Sequence, residues 1–210
     1  MAPKGGAGVS IEGIVIRTFP SGNADLVLRV ISAGRGKMSV LAKNARKSAK
    51  RFGGSLDVFD RGRFELRTGR GSLKTVESFL PAAAFKKLRT DLDKLRIASL
   101  LCECFDRLVN EEPEHDGESH HLLTLSLEAI EECTAIQDML RAAFTSVSAL
   151  LRMAGFLGAE PEFLPTSNNF RTLVQRIEEV TERALLTKGA FLEVLEALRR
   201  PSFAARIGTA

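Results

Sequence analysis

The chain contains no tryptophan and no tyrosine, so stacking on a planar ligand falls to phenylalanine, arginine or histidine. Cysteine is scarce. Cys102, Cys104 and Cys133 are an odd count placed inside helix-like patterns, which is poor material for a disulfide framework and points to a reducing compartment. No stretch approaches the roughly 18 consecutive apolar residues of a membrane helix, and Met1 to Ser10 has no apolar run that could serve as a signal peptide. A soluble, cytoplasmic protein without membrane contact is expected. With 44% apolar residues in a chain of 210, there is material for a core in each of two small domains.

Familiar site chemistries are missing as well. Cys102 and Cys104 diverge by about 200° around a helix and cannot chelate together, and there is no Cys-x-x-Cys. Neither a structural zinc nor any other cofactor is expected. Gly34-Arg35-Gly36-Lys37 invites comparison with a phosphate-binding loop, but the pattern needs Gly at position 31 and Ser or Thr at 38, where Ile31 and Met38 stand. A tight hairpin turn explains it better. No nucleophile is paired with a base, and Asp91, Asp93, Glu131, Glu132, Glu178 and Glu179 fall on outer helix faces. A non-enzymatic protein with no catalytic residues is the expectation.

What the chain has is a split of charge. Residues 1–90 hold 18 Lys/Arg against 6 Asp/Glu, whereas residues 91–210 hold 12 against 20. A concentrated positive surface attracts phosphate backbones or anionic membranes.

Five short β-favouring runs occupy that half: Ile11 to Thr18, Ala24 to Ser32, Arg35 to Ala42, about Val58 to Thr68, and Gly71 to Phe79. Hairpin-like punctuation separates them, and five strands in so short a span suggest a small barrel. The longest gap, residues 43–57, has room for a short helix, as in the five-stranded OB barrel. After Pro81 the period changes to 3.6. Phe85, Leu88, Leu92, Leu95, Ala98, Leu101, Phe105 and Leu108 predict one long helix ending before Pro113. A second helix carries Leu122 to Ile130. A third opens on a capping box, Thr134 with Gln137, and stops at Gly155. Two shorter helices, about 170–185 and 190–199, follow a linker at 159–169. The fold class is therefore α+β: a flexible tail (1–8), a five-stranded OB-fold domain (9–81) and an all-α helical domain (82–210).

The densest chemical signal is Lys43-Asn44-Ala45-Arg46-Lys47-Ser48-Ala49-Lys50-Arg51-Phe52, with five basic residues in nine positions at a strand end. Each cation near a phosphate releases counterions; Phe52 beside them could stack on a base, although an apolar residue at a strand entry is more often core. Strand alternation then puts Arg61, Arg63, Glu65 and Arg67 on one face, with Phe64 and Leu66 on the other. Together with Arg35, Lys37, Arg70 and Lys74 these residues describe a surface suited to sequence-neutral contact with single strands. An adaptor gripping acidic peptides is the alternative reading of the same charge.

Several of these segments resemble the RecO recombination mediators of bacteria: Glu12-Gly13-Ile14-Val15-Ile16-Arg17, Gly36-Lys37-Met38-Ser39-Val40-Leu41-Ala42-Lys43, and above all Ala42-Lys43-Asn44-Ala45-Arg46-Lys47 with Arg51-Phe52-Gly53-Gly54-Ser55-Leu56. Leu88 to Leu95, Leu101 to Leu108, and Phe144 to Gly155 are similar to the family's helices. The resemblance covers about residues 11–160. It implies an OB fold and a helical domain that bind single- and double-stranded DNA and anneal complementary strands. It also implies action with RecR, and with RecF in some species, contact with the acidic tail of single-stranded-DNA-binding protein, help in loading RecA at gaps and breaks, and a nucleoid-associated place in the cytoplasm. Asn44 stands where the family usually has Gly, and Ala159 to Asn169 lacks the four-cysteine zinc module of many relatives.

Overall fold

A computed structural model describes residues 8–47, 52, 54, 56–68, 73–82, 85–111, 117–158 and 166–197. Five strands, β1 (Gly8–Ser21), β2 (Asp25–Ser32), β3 (Gly36–Ala42), β4 (Arg61–Arg67) and β5 (Lys74–Pro81), close a barrel in the order β1-β2-β3-β5-β4. β1 is long enough to pair twice, with β4 through its first half and with β2 through its second. A register shift between Val15 and Arg17 gives it the bend that closure requires. Gly8, expected in the tail, is the first residue of β1 and pairs with Arg67; residues 1–7 lie outside the described residues.

Alternation fills the barrel. Val15, Leu28, Val30, Met38, Val40, Phe64, Leu66, Val76 and Phe79 form its interior, with the Phe64 and Phe79 rings 4.5 Å apart. Gly13 and Gly62 face each other across β1 and β4. A Cβ on Gly62 would stand 2.2 Å from the Leu80 carbonyl oxygen, so close backbone approach there depends on glycine.

Six helices follow: α1 (Lys86–Thr90), α2 (Leu92–Leu108), α3 (Glu118–Glu132), α4 (Ile136–Met153), α5 (Ser167–Thr181) and α6 (Lys188–Ala197). The expected single helix from Phe85 is two. Asp91 adopts extended backbone, and its carboxylate accepts hydrogen bonds from the Asp93 and Lys94 amides. A capping aspartate satisfies donors that the start of α2 would leave bare, and the break turns Leu92 outward to 59% exposure. The carboxylate of Glu131, on α3, accepts the Lys87 and Leu88 amides at 2.9 and 2.8 Å. Asp91 and Glu131 thus serve as caps, which corrects their expected place on outer helix faces. The Thr134 capping box does not form. α4 starts from Ala135 with no side-chain cap, and the Ala135 carbonyl accepts the Asp138 and Met139 amides. Gly155 does end α4, at φ +78°.

The helical core continues into the barrel's outer wall. Ile14, Ile16, Ile31 and Phe59 belong to the same buried cluster as Ile97, Leu101, Phe105, Phe144 and Phe170. Residues 159–165 of the expected linker, and 198–199 of the last helix, fall outside the described residues, as does most of the 43–57 gap beyond Lys47.

Candidate nucleic-acid interface

The segment leaving β3 is held in a turn. Asn44 has φ +56°, a left-handed conformation that Asn and Gly accept more readily than other residues. Its amide donates to Asp25 Oδ1 at 2.8 Å, and the Arg46 amide donates to the Ala24 carbonyl at 3.0 Å. Anchored on the β1–β2 turn in this way, Lys43, Arg46 and Lys47 are exposed while Ala45 between them is buried. The barrel register extends the rim. Arg67 pairs with Thr75, and Thr75 with Leu41, so Arg67 and Lys74 lie on the same edge as the basic turn. Lys50 and Arg51, together with Arg70, lie outside the described residues.

β4 alternates as its sequence suggests. Gly62, Phe64 and Leu66 are buried, while Arg61, Arg63, Glu65 and Arg67 face outward. At about 3.3 Å per residue the face runs some 20 Å from the rim toward the helices. Its arginines carry partners: Arg61 meets Glu128 of α3 at 2.7 Å, Arg63 meets Glu12 at 3.3 Å, and Arg67 meets Glu77 at 3.0 Å. Exposed pairs of this kind are worth about 0–1 kcal/mol. A phosphate can therefore displace the carboxylates at little cost.

Three expected contributors lie elsewhere. Arg35 is exposed in the β2–β3 turn, at the opposite end of β3 from Lys43. Lys37 is 7% exposed, and its ammonium contacts the Asp106 carbonyl oxygen on α2. Placed on an inward seam and not on the open barrel surface, it is withdrawn from direct contact with a strand on the rim. Burial, opposed by Asp106 and reinforced by Arg29 and Arg107, lowers its pKa. Phe52 is 2% exposed in the barrel interior, so it packs and offers no open ring.

The charge cluster missed in the sequence is centred on Asp106, whose side chain is 3% exposed and receives Arg29 at 2.8 Å and Arg17 at 3.2 Å. Both guanidiniums also lie over Phe19. An acid four residues after Cys102, on the buried face of α2, was the available signal.

Among the described residues, no group of three or more His, Cys, Asp or Glu is arranged to hold a metal ion, and no helix is long and apolar enough to cross a membrane. Cys102 and Cys104 are buried, which pushes both thiols well up from their ordinary pKa.

The family model for the Recombination protein O N-terminal domain matches residues 8–85, the barrel with its rim. The DNA repair protein RecO of Anaeromyxobacter sp. (strain K) is 36% identical over 124 residues, covering 59% of this chain and 48% of that protein. RecO of Desulfatibacillum aliphaticivorans is 31% identical over 155 residues, 73% of this chain and 58% of that one. The chain belongs to the RecO family. It spans about half the length of the curated relatives it matches. For this RecO-family chain the closed five-stranded barrel followed by helices is the expected α+β architecture, and Asn44 adopts the left-handed backbone that a glycine accepts most readily.

Proposed function

We propose that this chain acts in DNA repair as a recombination mediator, holding single- and double-stranded DNA on its barrel and promoting annealing of complementary strands. The contact residues in this reading are Lys43, Arg46 and Lys47 on the rim, with their sequence neighbours Lys50 and Arg51. Arg67, Arg63 and Arg61 continue them along β4, and Arg35 adds charge at the far turn. The observation that carries it is the anchored turn at Asn44, which fixes three exposed cations beside Arg67. Charge neutralisation there lowers the repulsion between two approaching phosphate backbones.

The helical domain, acidic in net charge, is assigned to protein partners: RecR, single-stranded-DNA-binding protein, RecA as the loaded recombinase, and RecF where present. The printed name of the relatives, DNA repair protein, supports the process, and the charge and geometry of the rim support the ligand. Such a protein would work in the cytoplasm at the nucleoid, without cofactor or catalytic residue.

The test is annealing of two complementary labelled oligonucleotides, with and without the cognate single-stranded-DNA-binding protein. The native chain should accelerate pairing, and the triple variant Lys43→Glu, Arg46→Glu, Lys47→Glu should not. Equal acceleration by both would remove the rim from the mechanism. Affinity for acidic peptide with none for oligonucleotide would favour the adaptor reading.

A further inference from the structure

A cleft of about 560 Å³ opens between the barrel and the helices. Its walls carry Arg17, Arg29 and Lys37 from the barrel and Arg107 and Arg183 from the helical side, opposed by the carboxylates of Asp106 and Glu182. Asp106 is already shared among Arg17, Arg29 and Lys37. Nε of Arg29 and Nε of Arg107 are buried and have no hydrogen-bond partner among the described residues. Glu103 takes Arg107 at 3.1 Å and Glu111 stands 3.9 Å from Arg29, so the five cations face four carboxylates, and a cleft that keeps a positive excess draws an anion.

Phe156 lines the same cleft and is 41% exposed. Every other described phenylalanine is buried or half-buried. Its position is fixed by the end of α4: the Gly155 amide donates to the Arg152 carbonyl at 2.9 Å and the Phe156 amide to the Leu151 carbonyl at 2.9 Å. These two bonds form a Schellman closure, in which an apolar residue at this place commonly packs back on its own helix. Phe156 instead presents an exposed ring to a basic cleft. An aromatic face beside clustered cations is the combination that single-stranded nucleic acid uses, bases on the ring and phosphates on the arginines.

We propose that this cleft is a second nucleic-acid site, distinct from the rim, in which a base of a single strand stacks on Phe156 while Arg17, Arg29 and Arg183 hold the adjoining phosphates. The proposal rests on the reading of the chain as a nucleic-acid binder and adds a place for a second strand. The cleft volume falls within the range of about 300–1,000 Å³ common to ligand sites. An acidic peptide would satisfy the cations, yet its carboxylates bring no ring to the phenylalanine.

Because the chain has neither Trp nor Tyr, Phe156→Trp creates a single indole reporter in the full-length protein. Its fluorescence is followed on titration with a short oligothymidine and with an abasic strand of equal length, while anisotropy of end-labelled strands reports total binding. The expected result is quenching by the base-bearing strand, little quenching by the abasic one, and loss of the quenching when Arg183→Glu is added. Phe156→Ala should weaken oligothymidine binding roughly 5- to 150-fold. Binding by anisotropy with no quenching and no effect of Phe156→Ala overturns the cleft site and leaves the rim standing. Absence of all strand binding overturns both. Equal quenching by the abasic strand or by polyglutamate overturns the stacking assignment.

Discussion

Arg29 Nη1 lies 2.8 Å from Asp106 Oδ1, a contact between β2 and α2 that ties the barrel to the helices. Asp106 is nearly sealed from water and Arg17 shares it, so one carboxylate bridges two guanidiniums. Removing it by Asp106→Ala strands those cations at the seam. Breaking a buried pair costs about 3–5 kcal/mol, and the partial exposure of both arginines places the expected loss at the low end, about 3 kcal/mol. Denaturant unfolding measures it. A loss under about 1 kcal/mol would mean that the seam is held by apolar packing alone.

Glu103 gives the fold an acid-sensitive latch. Burial acts to raise its pKa, but the amides of Leu186 and Thr187, the Thr187 hydroxyl and Arg107 all donate to the carboxylate, and the outcome is a lowered value. A depressed carboxylate stabilises the folded state fully above its ordinary pKa, and that contribution is lost as pH falls through the lowered one. Stability of the native chain should therefore drop on the acid side of the ordinary glutamate range. Glu103→Gln should be less stable at neutral pH and show a flatter acid limb. Parallel curves for the two proteins would contradict the latch.

Gly62 is expected to tolerate no side chain. The Cβ of Gly62→Ala would meet the Leu80 carbonyl oxygen at 2.2 Å and the Phe79 ring at 2.8 Å, and neither backbone nor packed ring can withdraw cheaply. A loss of about 1–3 kcal/mol is expected, read as a lowered thermal midpoint. An unchanged midpoint would show that β4 and β5 can separate without penalty.

The turn at Asn44 links conformation to binding. Asn44→Gly should keep both stability and oligonucleotide affinity, because glycine adopts φ +56° freely. Asn44→Val should lose about 1–2 kcal/mol and weaken strand binding by displacing Arg46 and Lys47 from the rim. If Val binds as tightly as Gly, the turn does not position the cations.

Local rules with short reach were legible in the sequence. Alternation at Arg61 to Arg67, the glycine stop at Gly155 and the left-handed Asn44 each depend on one or two neighbours, and each is present in the fold. Features set by competition between distant groups were not. Asp91 breaks a helix whose apolar spacing runs on unbroken, since capping α2 outweighs one more turn. Thr134 is passed over in favour of the next residue. Lys37 looked like surface chemistry because burial by α2 is invisible to a linear reading, whereas Phe52 takes the core place common for an apolar residue at a strand entry. The Arg17, Arg29 and Asp106 cluster spans residues nearly ninety positions apart, and no spacing rule connects them.

The rim at Lys43, Arg46 and Lys47 is proposed to neutralise nucleic-acid phosphates. The most direct measurement of this is the affinity for a labelled single strand across a range of salt concentrations, for the native chain and for the triple variant Lys43→Glu, Arg46→Glu, Lys47→Glu. Each lost phosphate contact should make the logarithmic slope shallower by about 0.7, so the variant should bind more weakly and its slope should differ by roughly 2. Equal affinities and superimposable slopes would contradict the account.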